Sequence, residues 1–98
     1  MSVDRGLLVI LEAKPDKAEE LGAFLAQAQP LAVAEPGTVT WYAFRLSDTT
    51  YGIFDTFAGE DGRQAHLNGP IAAALGQAAP GLLASDPSIQ ATDILAAK

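Results

Sequence analysis

The chain has 98 residues, of which 49% are hydrophobic and 18% charged, with six Lys and Arg against twelve Asp and Glu for a formal charge of −6 and no cysteine. Six dispersed basic residues do not form the clusters that phosphate backbones or anionic lipid surfaces require, so nucleic acid and membrane are excluded as expected partners. Without cysteine there is no disulfide, thiolate nucleophile or thiolate metal site, and a mean hydropathy of +0.17 is high for one small domain spanning residues 1–98.

Leu7-Leu8-Val9-Ile10-Leu11 reads as a strand with apolar residues on both faces. Bounded by Arg5 and Glu12, this run is too short to span a membrane and unlike a secretory leader, so a soluble cytoplasmic protein is expected. Pro15 fits a first helical position, with Asp16, Glu19 and Glu20 where the helix dipole favours negative charge. Leu21, Phe24, Leu25, Ala28, Leu31 and Ala32 then form an amphipathic stripe, which Pro30 kinks or splits before Glu35-Pro36-Gly37 ends it.

Thr38 to Leu46 and Tyr51 to Phe57 are rich in β-branched and aromatic residues and predict a hairpin around Ser47-Asp48-Thr49-Thr50. Gly59 to Gly69 predicts a short helix. A second helix follows Asn68-Gly69-Pro70, with Ile71, Ala74, Leu75 and Ala78 as its stripe and Pro80-Gly81 as its end, Leu82-Leu83 adding a further turn. Ser88 to Ala96 predicts the last strand.

The order β-α-β-β-α-β predicts an α+β, ferredoxin-like domain with an antiparallel sheet and helices on one face. Val39, Trp41 and Ala43 alternate with Tyr42, Phe44 and Leu46, so neither face of this strand is polar. A sheet with one wet face should alternate apolar and polar residues. The helix-free face therefore calls for a second copy of the chain, and a homodimer is expected.

Few residues offer chemistry. His66 is the only histidine: it is either a general base for a phenol or quinol, or a helix residue hydrogen-bonded to a backbone carbonyl. Asp55 and Asp93 are carboxylates in strands that otherwise read as buried. A buried carboxylate is costly unless paired, so these carboxylates are either proton acceptors, members of a pair such as Asp55 with Arg45 on the neighbouring strand, or sheet-edge positions exposed to water. Trp41, Tyr42, Tyr51, Phe44, Phe54 and Phe57 crowd the hairpin, as core, as interface, or as the lining of a pocket for a small apolar or aromatic molecule. Gly59-Glu60-Asp61-Gly62 places two acids where a phosphate loop needs none, and no Gly-x-Ser-x-Gly elbow is present. One histidine without standard ligand spacing predicts no metal.

Several segments, taken in order, resemble the antibiotic biosynthesis monooxygenase family. They are the Lys14-Pro15 helix start, Glu35-Pro36-Gly37 before a strand with Trp41 and Arg45, and Phe54-Asp55-Thr56-Phe57 followed by Ala65-His66-Leu67 and Pro70. The resemblance implies a dimeric α/β barrel that oxidises quinols or aromatic polyketides with molecular oxygen and no cofactor, in a pocket between sheet and helices. His66, Asp55 and Arg45 are then the candidate catalytic residues, and Trp41, Tyr42, Tyr51 and Phe57 the candidate substrate-binding ones. The chain departs from the family at Phe57, where tryptophan is common, and at Ile71, where an aromatic or histidine is frequent. It also lacks the asparagine, tryptophan and second-helix histidine of the haem-degrading branch. The alternative is a non-catalytic dimeric barrel that binds a small apolar metabolite, or an assembly subunit whose pocket its own side chains fill.

Overall fold

The computed structural model describes residues 3–98; Met1 and Ser2, the first two residues of the expected domain, lie outside the described residues. Its elements are β1 (Arg5–Glu12), α1 (Ala18–Gln27), α2 (Gln29–Val33), β2 (Thr38–Arg45), β3 (Thr50–Phe57), α3 (Glu60–Leu67), α4 (Pro70–Leu82) and β4 (Ser88–Asp93). The strands form one sheet in the order β2-β3-β1-β4, with every neighbouring pair antiparallel. Each β-α-β unit leaves a gap between its strands: β3 fills the gap between β1 and β2, and β1 fills that between β3 and β4. This interleaving is the ferredoxin-like α+β fold.

Alternation along the two central strands sets the faces. Leu7, Val9 and Leu11 of β1 stand beside Asp55, Ile53 and Tyr51 of β3, and all six are buried. Leu21 and Leu25 of α1 and Leu75 of α4 close over this row. The opposite face carries Leu8, Ile10, Phe54, Phe44 and the exposed Tyr42, with Leu8 opposite Phe54 and Phe54 opposite Tyr42. No described helix covers that face, and no helix among the described residues is long and apolar enough to cross a membrane.

Three boundaries differ from expectation. Pro15 does not start a helix. The Lys17 N–H donates to the Lys14 carbonyl at 2.9 Å, so Pro15 takes the second position of a tight turn and α1 begins only at Ala18, leaving Asp16 outside it. Pro80 does not end α4. The helix runs on to Leu82, where the Lys14 N–H donates to the Leu82 carbonyl at 2.8 Å and the Lys14 ammonium to the Pro80 carbonyl at 2.7 Å, satisfying two of the last carbonyls of the helix. β4 stops at Asp93, opposite Arg5, and one further bond, from the Ile94 N–H to the Asp4 carbonyl at 3.1 Å, follows it.

Pro30 does divide the first helical segment. The buried stripe continues through the break at three- and four-residue spacing as Leu21, Leu25, Ala28 and Ala32, while Leu31 lies off it and is exposed.

Candidate functional site

Asp55 is the only charged residue among the largest fully buried side chains, and it lies on the helix-facing side of β3 between Leu7 and Trp41. A carboxylate so placed needs a counter-charge. His66 supplies it from the last turn of α3, where the helix dipole favours a cation. Its Nε2 lies 2.8 Å from Asp55 Oδ2 and its Nδ1 2.7 Å from Glu35 Oε1. The Thr38 hydroxyl donates to the same Glu35 oxygen at 2.7 Å. The His66–Asp55 contact is a charge pair rather than an aligned hydrogen bond, since neither Asp55 oxygen has a hydrogen-bonded donor among the described residues. The Phe57 ring, fully buried, closes one side of the imidazole with its centroid 5.4 Å away.

Burial by itself would push the imidazole towards its neutral form. The contacts and charges of Asp55 and Glu35 outweigh that penalty and raise the His66 pKa to about 9. The imidazole is therefore protonated at neutral pH, a cation held between two carboxylates. It is not the free base that the sequence suggested as one possibility.

Glu35 reaches His66 because a loop lies directly on a helix. A Cβ at Gly37 would stand 2.8 Å from the Gly62 Cα, and one at Gly62 2.7 Å from the Gly37 carbonyl oxygen, so backbone meets backbone there with no room for side chains. Gly62 and His66 are one helical turn apart on the same face of α3. Docking Gly37 onto Gly62 thus sets the Glu35-Pro36-Gly37 loop against the imidazole. Glu35 Oε2 is left buried without a hydrogen bond, beside Gly69 at the start of α4, where the helix dipole favours an anion.

The remaining candidates do not converge on this array. Arg45 is exposed on edge strand β2 and stands opposite Tyr51, about 13 Å along the strands from Asp55 at ~3.3 Å per residue. The Asp55–Arg45 pair does not form, and neither does a backbone-carbonyl partner for His66; both places are taken by the carboxylate–imidazolium contacts. Tyr42 is exposed on the helix-free face, and Tyr51 lies in the core away from the array. Trp41, directly opposite Asp55, lines a cleft of about 310 Å³ between α2 and β2 together with Thr38 and Thr40. Its indole N–H is buried and unpartnered.

Glu35 and Thr38 were not foreseen as site residues. Glu35 read as part of a helix-ending motif, and its one local signal was a hydroxyl three positions on. Both His66 nitrogens face carboxylates, and no group of three or more ligating side chains among the described residues is arranged to hold a metal.

No defined sequence family and no curated protein sequence matches the chain. Among solved structures it is 53% identical to the NE2512 protein of unknown function from Nitrosomonas europaea, covering 98% of this chain and 93% of that one with a TM-score of 0.97. PA3566 from Pseudomonas aeruginosa is 19% identical over 98% of each chain, with a TM-score of 0.84. A protein from Caulobacter crescentus described as a "putative antibiotic biosynthesis monooxygenase" is 23% identical over 96% of this chain and 92% of its own, with a TM-score of 0.82. At these lower identities the likeness is one of fold.

Proposed function

Because the chain belongs to one family with the Nitrosomonas europaea NE2512 protein, whose function is unknown, we propose a function from the site itself: a cofactor-independent monooxygenase for a small quinol-like or aromatic polyketide-like substrate. The reading rests on one observation: a buried carboxylate–imidazolium–carboxylate array lies one threonine hydroxyl away from a cleft lined by Trp41. A phenolic substrate stacked on Trp41 would pass its proton to the Thr38 oxygen as Thr38 passes its own to Glu35. The resulting anion is electron-rich enough to reduce oxygen. One oxygen atom enters the substrate and the other leaves as water, with the substrate supplying both hydrogens. His66 holds positive charge beside the accepting carboxylate throughout. The Caulobacter protein's description and the shared fold support the same class of reaction.

Oxygen uptake with a panel of quinols and hydroxyanthrones tests this. Glu35→Gln is expected to lower the rate about 100-fold or more, the usual contribution of a positioned proton acceptor, with its melting curve confirming a folded protein. If no substrate raises uptake above that of Glu35→Gln, the oxygenase reading is wrong.

One observation favours a non-catalytic binder. Phe57 seals the imidazole and Asp55 is fully buried, so the array also serves as a clamp joining the 35–37 loop, α3 and β3. Saturable binding of the same compounds without turnover is the outcome expected for that case.

We assign the helix-free face to a second copy of the chain, forming a dimeric α/β barrel. Leu8, Ile10, Phe44, Phe54 and Tyr42 make a continuous apolar surface that one subunit leaves uncovered. Sedimentation equilibrium at micromolar concentration is expected to give twice the chain mass, and Phe54→Asp to give a monomer. A wild-type protein that sediments at the mass of one chain under these conditions removes this assignment.

A further inference from the structure

Arg45 and Tyr51 lie outside the array yet share a second opening in the fold. Tyr51 comes from β3 and Arg45 from the paired position on β2, so both side chains point to the helix-facing side of the hairpin. There they meet α1 across a gap of about 200 Å³ lined by Gly22, Leu25, Ala26, Ala43, Arg45 and Tyr51. The gap exists because position 22 has no side chain: a Cβ there would stand 3.2 Å from the Tyr51 ring and 3.3 Å from its hydroxyl oxygen. The Tyr51 ring is buried, but its hydroxyl makes no hydrogen bond among the described residues and is not enclosed. Arg45 is exposed and makes no ion pair among the described residues.

We propose that this gap between α1 and the β2–β3 hairpin binds a small aromatic carboxylate, with the Arg45 guanidinium pairing the carboxylate and the Tyr51 hydroxyl donating to it. A planar fork of N–H donors matches a carboxylate in two-point contact, and the hydroxyl adds a third donor. Leu25, Ala26 and Ala43 provide an apolar bed for the ring, and the volume exceeds the ~150 Å³ that accommodates benzene in a protein interior. The charge around the mouth narrows the ligand further. Asp16, Glu19, Glu20 and Asp48 line the adjoining depression with Arg45 and Tyr51 and oppose every anion there, a doubly charged one most, so the apolar bed has to contribute part of the affinity of a singly charged ligand. The site lies about 13 Å along the strands from Asp55 and is independent of the oxygenase reading.

Titration calorimetry with benzoate, acetate and inorganic phosphate tests it. Benzoate is expected to bind saturably, with acetate and phosphate at least tenfold weaker. Arg45→Ala should weaken benzoate tenfold or more, and Tyr51→Phe severalfold. Gly22→Ala should also weaken it tenfold by narrowing the gap, with its melting curve confirming a folded protein because the added methyl stands 3.2 Å from the buried Tyr51 ring. Glu35→Gln should leave benzoate affinity unchanged. Absence of benzoate binding overturns the proposal, as does binding that survives both Arg45→Ala and Gly22→Ala. Binding lost in Glu35→Gln but kept in Arg45→Ala would move the ligand to the α2–β2 cleft and overturn it equally.

Discussion

Replacing Asp55 by alanine is expected to lower the stability of the fold by about 3–5 kcal/mol, the usual penalty for removing one member of a buried charge array. Asp55 is fully buried, and its partner His66 is itself 7% exposed, so water cannot take over the missing contact. The imidazolium would keep only Glu35 as a counter-charge and would gain a void where the carboxylate stood. In a domain of this size a loss of that order lowers Tm by about 10 °C or more. Asp55→Asn keeps the shape and removes the charge, so it separates the electrostatic part from the cavity. Arg45→Ala, at an exposed position without an ion-pair partner among the described residues, is expected to stay within about 0.5 kcal/mol. Urea denaturation of the three variants checks the set. An Asp55→Ala protein within about 1 kcal/mol of the wild type would show that the array does not hold the fold together.

Stability is also expected to fall as pH rises from about 6.5 towards 9. The histidine reference pKa is 6.5, and the folded value is about 9, because Asp55 and Glu35 outweigh the desolvation that opposes them. Between those values the native chain binds a proton that the unfolded chain has released. The contribution is therefore complete below about pH 6.5 and is lost as pH rises through about 9, amounting to at most about 3 kcal/mol. Melting temperature followed from pH 6 to 10 is expected to decline for the wild type relative to His66→Gln. Since His66 is the only histidine, its ring protons can be followed by NMR without assignment. A midpoint at or below 6.5 would mean that the two carboxylates do not hold the imidazole charged.

The same charged state bears on the proposed chemistry. A protonated imidazole cannot accept the substrate's proton, so in the oxygenase reading that task passes to a carboxylate, with Glu35 nearer the cleft through Thr38. The activity of the wild type should then persist well below the pH at which a neutral histidine would be required.

Local signals carried the element order. Alternation identified the strands, three- and four-residue spacing identified the helices, and Pro30 marked the break between α1 and α2. The same signals misplaced the start of α1 and the end of α4, because a proline reports a constraint on its own φ and N–H rather than an element boundary. Pro15 satisfied that constraint in a turn, and Pro80 inside a helix whose last carbonyls are tied to Lys14.

His66 and Asp55 stood out in the sequence by residue type, one as the single histidine and the other as a charge in an apolar strand. Their partners did not. Glu35 and His66 are 31 positions apart, and nothing periodic links them. They meet because two glycine backbones touch at 37 and 62. Alternation already set Trp41 and Tyr42 on opposite faces of β2, but the register that carries Arg45 to the hairpin end, away from Asp55 and from the cleft lined by Trp41, was not legible in the sequence.

From sequence alone came the α+β order and strands apolar on both sides, because turns, helical stripes and strand alternation are properties of neighbouring residues. The carboxylate–imidazolium–carboxylate array, and the separation of Arg45 from it, were decided only by tertiary structure. Strand register and the contact of one loop with one helix depend on how distant segments exclude each other's volume, and no local pattern encodes that.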